Sequence, residues 1–155
     1  MIKVRAYEKS DTVALMQLFH DTVHGVNSRD YTKAQVDAWA PANQNVDLWM
    51  RHLSSQFTYV AEQDHQILGF GQLAENGYID RFYCHQHVQR RGIGTQILEQ
   101  IEIKARSLGI QRLFTEASIT AKPFFASKGF TVVRQQSVER RGQVFTNFLM
   151  EKFLN

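Results

Sequence analysis

Gln89-Arg90-Arg91-Gly92-Ile93-Gly94-Thr95 joins an extended run ending at Cys84 to a long amphipathic helix pattern, and how this stretch is read decides the fold. Two glycines spaced by one residue let backbone N–H groups approach an anion closely, and the helix that follows aims the positive end of its dipole at the same point. Arg90 and Arg91 add formal charge. A turn of this kind suits a pyrophosphate, and spacing separates the nucleotide folds that use one. A Walker A loop requires Lys and then Ser or Thr directly after its last Gly, where this chain has Thr95 and Gln96. A Rossmann fingerprint requires a third Gly at the position held by Ile97. The plain alternative is a tight strand-to-helix turn with its arginines as solvated surface charge.

Downstream of the turn, Ile93, Ile97, Leu98, Ile101, Ala105 and Leu108 fall on one helical face, and Gly109 is a C-terminal stop. Arg112 to Ala117 is then a strand, parallel to its neighbour because a helix separates the two. After a short helix ending at Gly129, Thr131 to Val138 and Val144 to Lys152 pair across a turn at Arg141-Gly142. Upstream, Phe57 to Ala61, Ile67 to Leu73 and Tyr78 to Cys84 form an antiparallel meander turning at Asp64-His65 and Asn76-Gly77. Ahead of the meander, Ile2 and Val4 alternate with Lys3 and Arg5 as a first strand. Three helices follow: one capped by Ser10 or Asp11 and running to Gly25, one capped by Thr32 and stopped by Pro41, and one capped by Asp47.

The order Gln-x-x-Gly-x-Gly, preceded by Tyr78 to Cys84, resembles the acetyl-CoA signature of the GNAT superfamily of N-acetyltransferases. Ala121-Lys122-Pro123-Phe124-Phe125-Ala126-Ser127-Lys128-Gly129-Phe130 resembles the second superfamily signature, a short helix beside the cofactor that ends in Gly-Phe. The resemblance implies the GNAT fold: one α/β domain over residues 1–155, with a mixed, mostly antiparallel central sheet splayed in the middle and flanked by helices. It further implies transfer of an acetyl group from acetyl-CoA to a primary amine of a small molecule, by direct attack in a ternary complex. Phe82, Tyr83 and Cys84 are then expected along the pantetheine arm, and Gln89, Arg90, Arg91, Gly92, Ile93, Gly94 and Thr95 around the pyrophosphate. Thr120, Phe124 and Phe125 are expected beside the cofactor. Asn27 to Trp39, together with Ala117 to Phe125, is similar to the YafP-like branch of bacterial members.

Acetyl transfer needs a base for the amine and a proton for the leaving thiolate. Asp80 is the leading base, since strand alternation places Tyr78, Asp80, Phe82 and Cys84 on one face; Glu116, on the next strand, is the second. Many members carry a Tyr where this chain has Phe125, so the acid is sought elsewhere: Tyr83 first, with Tyr31, His85 and Cys84 also in reach. Asp30, Tyr31 and Trp39 are candidates for an amine pocket, because a carboxylate and aromatic faces both favour ammonium groups. Three alternatives stay open: a protein or peptide acceptor, a module that binds acetyl-CoA without turnover, and a ping-pong route through Cys84. The preferred acyl chain is left open.

With 155 residues, 43% of them hydrophobic, the chain is expected to form one domain without disulfides. The net charge of +3 is spread without a sustained Lys/Arg stripe, so no nucleic-acid partner is expected, an acceptor aminoacyl-tRNA included. A single cysteine suits a reducing compartment, and cytoplasm is the expected location. No apolar run reaches the ~20 residues that span a bilayer, so no membrane association is expected. His85 with His87, and His20 with His24, lack further ligands at zinc-like spacing, so no metal is expected. A homodimer is compatible with the sequence.

Overall fold

The computed structural model describes Met1–Asn155 throughout. Seven strands form one sheet: β1 (Lys3–Ala6), β2 (Phe57–Gln63), β3 (Gln66–Leu73), β4 (Tyr78–Cys84), β5 (Arg112–Ser118), β6 (Thr131–Arg140) and β7 (Gln143–Phe153), in the order β1-β2-β3-β4-β5-β7-β6. Every neighbouring pair is antiparallel except β4 and β5. One face is covered by α1 (Thr12–Gly25), α2 (Lys33–Trp39) and α3 (Val46–Ser54), whose Leu15, Phe19, Val36, Trp49 and Leu53 pack with Val60 and Phe70 of the sheet. The other is covered by α4 (Ile93–Ser107) and α5 (Lys122–Ser127), whose Ile93, Ile97, Ile101 and Phe125 pack with Leu73, Ile79, Leu113 and Met150.

Local chemistry fixes most boundaries. Asp64-His65 and Arg141-Gly142 hold consecutive left-handed φ angles of 51° and 65° and of 49° and 80°, the backbone twist that two-residue hairpin turns require. Thr32 caps α2 in a reciprocal box with Gln35: its Oγ1 accepts the Gln35 N–H at 3.1 Å while Gln35 Oε1 accepts the Thr32 N–H at 2.7 Å. The cap of α3 is Asn45, not Asp47, because Asn45 Oδ1 accepts the Leu48 N–H at 3.1 Å; Asp47 sits in the first turn, where the helix dipole favours its charge. Asp11 precedes α1 without capping it. Its carboxylate accepts two 2.9 Å hydrogen bonds from the Arg5 guanidinium and one from the Glu8 N–H, tying the helix to β1.

Two irregularities in β4 open the middle of the sheet. The parallel pairing with β5 covers only Tyr78 with Phe114 and Ile79 with Thr115, where Thr115 Oγ1 donates to Ile79 O at 2.9 Å. Beyond that point the strands part. On its other edge Gly71 lies opposite Phe82 and Leu73 opposite Ile79, so Asp80 and Arg81 together face the single residue Gln72. This β-bulge overturns the alternation expected for the strand. Asp80 turns to the α3 side, whereas Phe82 turns to the opposite face and packs at 5.4 Å from both Phe124 and Phe125.

Candidate active site

The splay between β4 and β5 is occupied by a cavity of about 1150 Å³ that reaches both faces of the sheet. Its lining on the α4 and α5 side includes Phe82, Gly92, Gly94, Thr95 and Phe124; on the α1 and α3 side it includes Trp49, His52, Asp80, Arg81 and Tyr83.

On the α4 side the cavity ends at a helix N-terminus that no side chain caps. The first helical hydrogen bond joins Gln96 N–H to Gly92 O at 3.1 Å, leaving the N–H groups of Ile93, Gly94 and Thr95 without intrahelical acceptors. Gly92 has φ +80°, and a Cβ built on it would meet no protein atom within 4 Å, so the space before these N–H groups is open. A Cβ on Gly94 would instead lie 3.0 Å from Phe124 Cε1, so α5 closes against the turn at that point. Arg90 is exposed and lines the cavity; Arg91 is exposed and lies outside the lining. Gln89 is held by the protein itself, its Nε2 donating to Cys84 O at 2.7 Å and His85 O at 3.3 Å. Open backbone donors, nearby cations and a left-handed glycine fit a diphosphate.

On the α3 side one imidazole organises the charges. His52 Nε2 lies 3.0 Å from Asp80 Oδ2, which also accepts from Gln56 Nε2 at 3.3 Å. His52 Nδ1 accepts from Arg81 Nη1 at 2.9 Å. Because a guanidinium only donates, His52 is neutral with its proton on Nε2, pointing at Asp80. Burial pushes the Asp80 carboxyl up, but the hydrogen bond from His52 and the neighbouring Arg81 charge outweigh it, so the pKa settles below the ordinary aspartate value. The Arg81 carbon Cζ sits 4.0 Å from the Trp49 ring centroid.

The remaining sequence-derived candidates fall in several environments. Tyr83 lines the cavity, with its ring edge-on to Phe19 at 5.0 Å, and burial pushes its hydroxyl up to about 12, so it stays protonated. Burial likewise pushes the Cys84 thiol up to about 12. Both Glu116 oxygens are engaged, by Tyr78 Oη at 3.0 Å and by Gln136 Nε2, on an exposed rim. Tyr31 is 8% exposed; its hydroxyl donates to Thr146 O at 2.6 Å and accepts from Ile119 N–H at 2.9 Å, which ties β7 to the end of β5. Trp39 stacks edge-on against Tyr31 at 5.3 Å and reaches the cavity. Asp30 is exposed, outside the lining, and accepts from Thr120 Oγ1 at 2.8 Å. Phe125 is 2% exposed and packs among Phe82, Phe124 and Phe130.

Three residues of the cavity wall were not singled out from the sequence. Asp80 and Arg81 meet at His52 because of the bulge, a feature without a clear sequence signal. Asn147, on β7, lines the cavity with a buried Oδ1 that has no hydrogen-bond partner. It shares a strand face with Phe145, which packs in the α1–α3 cluster, so Asn147 belongs to the same side as Asp80.

The profile of the acetyltransferase (GNAT) domain matches residues 27–152. YafP from Escherichia coli (strain K12), named as an uncharacterised N-acetyltransferase, is 37% identical over 149 residues, spanning 96% of this chain and 94% of that protein. A GCN5-related N-acetyltransferase from Rhodopseudomonas palustris superimposes with a TM-score of 0.94 at 28% identity, over 98% of this chain and 95% of the other. PaiA N-acetyltransferase from Thermoplasma acidophilum, solved in complex with coenzyme A, gives 0.82 at 17% identity, over 99% of each chain. By its match to the domain, its identity with YafP and its splayed sheet, the chain belongs to the GNAT family of N-acetyltransferases.

Proposed function

We propose that this acetyltransferase moves the acetyl group of acetyl-CoA to the primary amine of a small molecule, with both substrates bound together. The observation that carries this reading is the cavity through the splayed sheet, which gives a phosphate-binding turn and a carboxylate–imidazole pair separate approaches to one space. The Gly92 to Thr95 backbone and Arg90 hold the diphosphate. Phe82, Phe124 and the β4 edge left without a strand partner beyond Ile79 line the path of the pantetheine. Acetyl-CoA supplies an acyl carbon already activated as a thioester. As the N–C bond forms the amine N–H becomes strongly acidic, and the Asp80 carboxylate, ionised at neutral pH, accepts that proton. The neutral His52 fixes the carboxylate in place. Tyr83, which keeps its proton, is the candidate donor toward the departing sulfur as the C–S bond breaks; Phe125 has no proton to give.

Two further features support direct transfer to a small amine. A thiol with its pKa at about 12 is a poor nucleophile at neutral pH, which disfavours an acetylated Cys84. The β6–β7 hairpin is fastened over the acceptor side, where Arg141 Nη1 donates to Ala38 O at 2.7 Å and Gln35 Nε2 donates to Val144 O at 2.8 Å. This wall suits a small molecule better than an extended peptide. No helix is long and apolar enough to cross a membrane, and the proposed setting is the cytoplasm. The test is isothermal titration with acetyl-CoA, followed by a thiol-release assay over pooled amines. Binding with amine-dependent thiol release is expected; absence of acetyl-CoA binding would overturn the proposal.

A further inference from the structure

Arg81 is a half-buried cation with no carboxylate in ion-pair distance. Its Nη1 donates to His52 Nδ1 at 2.9 Å and approaches Gln72 Oε1 at 3.4 Å, and its flat face lies on Trp49. The neighbouring acid, Asp80, is taken by His52 and Gln56 on the other side of the imidazole. Burial, the leading influence on this guanidinium, pulls its pKa below the usual arginine value even though the Asp80 charge opposes the shift, and Arg140 adds like-charge repulsion. Removing a charge from water without pairing it is costly unless a ligand supplies the counter-ion. Arg140 lines the cavity as well and makes no ion pair of its own.

The same side of the cavity presents the opposite need. Asp80 offers carboxylate oxygens, and Asn147 offers a buried Oδ1 that no protein donor reaches. One imidazole therefore separates a site that wants N–H donors from a forked guanidinium that wants oxygen acceptors. A simple alkylamine satisfies only the first. The surrounding Phe19, Trp49 and Tyr83 favour an apolar body. Resting on the acetyltransferase reading above, we propose that the acceptor is an amino-acid-like molecule, a primary amine with a carboxylate close to its nitrogen and an apolar side chain. Arg81 reads the carboxylate, while Asp80 seats the amino group.

The experiment titrates the protein, saturated with coenzyme A, with aromatic and aliphatic amino acids, their amides, their decarboxylated amines and their aminophosphonate analogues. It is repeated in Arg81→Gln, which keeps a donor for His52 but loses the charge and the fork. A charge-assisted pair predicts that the best amino acid binds roughly ten- to a hundred-fold more tightly than its amide or decarboxylated amine. Arg81→Gln should bring that ratio near one; a merely structural Arg81 would weaken all probes alike and leave the ratio as it is in the parent. Equal affinities, preference for the phosphonate, or failure of every carboxylate probe to bind would overturn the inference. Thiol release from acetyl-CoA with the neutral amines separates the two levels: acetylation without carboxylate preference sinks the substrate class and leaves the transferase reading intact. Loss of acetyl-CoA binding itself sinks both.

Discussion

Gly92→Ala and Gly109→Ala form a matched pair at opposite ends of α4. Gly92 has φ +80° and Gly109 has φ +74°, and a Cβ at either position meets no protein atom within 4 Å. Neither substitution creates a clash, so the cost is that of holding an alanine in the left-handed region, about 1–2 kcal/mol. Reduced freedom of the unfolded chain offsets about 0.4–1 kcal/mol of it. Each variant should therefore lose roughly 1 kcal/mol, a fall in Tm of about 2–4 °C for a chain of this size. The two should part on ligand binding. Gly92 adjoins the unpaired N–H groups of the helix start, so a methyl group there stands where an anion approaches. Losing one charge-assisted hydrogen bond raises the Kd for acetyl-CoA about ten- to a hundred-fold. Gly109 N–H donates to Arg106 O at 3.1 Å at the far end of the helix, and its variant should bind acetyl-CoA like the parent. Thermal unfolding and isothermal titration read both quantities. Equal acetyl-CoA affinity in the two folded variants would refute the assignment of the turn to the diphosphate.

Asp80→Asn should lower kcat roughly a hundred- to ten-thousand-fold with the Kd for acetyl-CoA unchanged. The pKa of Asp80 lies below its ordinary value, so its stabilising contribution is full above the usual carboxylate range and fades as pH falls through its folded pKa. The stability gap between parent and Asp80→Asn, followed by denaturant titration, should accordingly close in acid; a gap that widened there would contradict the His52 pairing. Cys84→Ala should retain activity within a few-fold, and complete loss in a folded variant would reinstate a covalent route. Tyr31→Phe removes the partner of both Ile119 N–H and Thr146 O and should cost about 1–3 kcal/mol of stability. Its acetyl-CoA affinity should be unchanged in the same titration.

The parts of the fold legible in the sequence are those set by local chemistry and periodicity. The β2 and β3 strands about the Asp64-His65 turn, the apolar stripe of α4, the Thr32 cap and the Arg141-Gly142 turn all act within a few residues of chain. The insertion of β7 between β5 and β6 depends on long-range pairing and leaves no such trace. The site divides in the same way. The turn from Gln89 to Thr95 announces itself because backbone donors, glycines and a helix start are contiguous. The acceptor wall does not, since one extra residue in β4 rotates Asp80 and Arg81 onto the same imidazole and sends Phe82 to the other face. Strict alternation gave Asp80 a neighbour it does not have and hid His52 altogether. Tyr31 shows a different limit, because an aromatic beside an acidic residue reads the same whether its hydroxyl faces a ligand or, as here, bonds two backbone groups.

In the proposed reaction donor and acceptor meet in one cavity through the splayed sheet, and the acetyl group passes directly between them. Thiol release from acetyl-CoA under single-turnover conditions, with enzyme in excess and with or without an amine panel, tests it most directly. Direct transfer should give no thiol from protein and acetyl-CoA alone, and release stoichiometric with acetylated amine once the acceptor is present. Thiol release without an amine, leaving an acetylated protein, would contradict direct transfer. Bound acetyl-CoA that no amine ever consumes would contradict catalysis at this site.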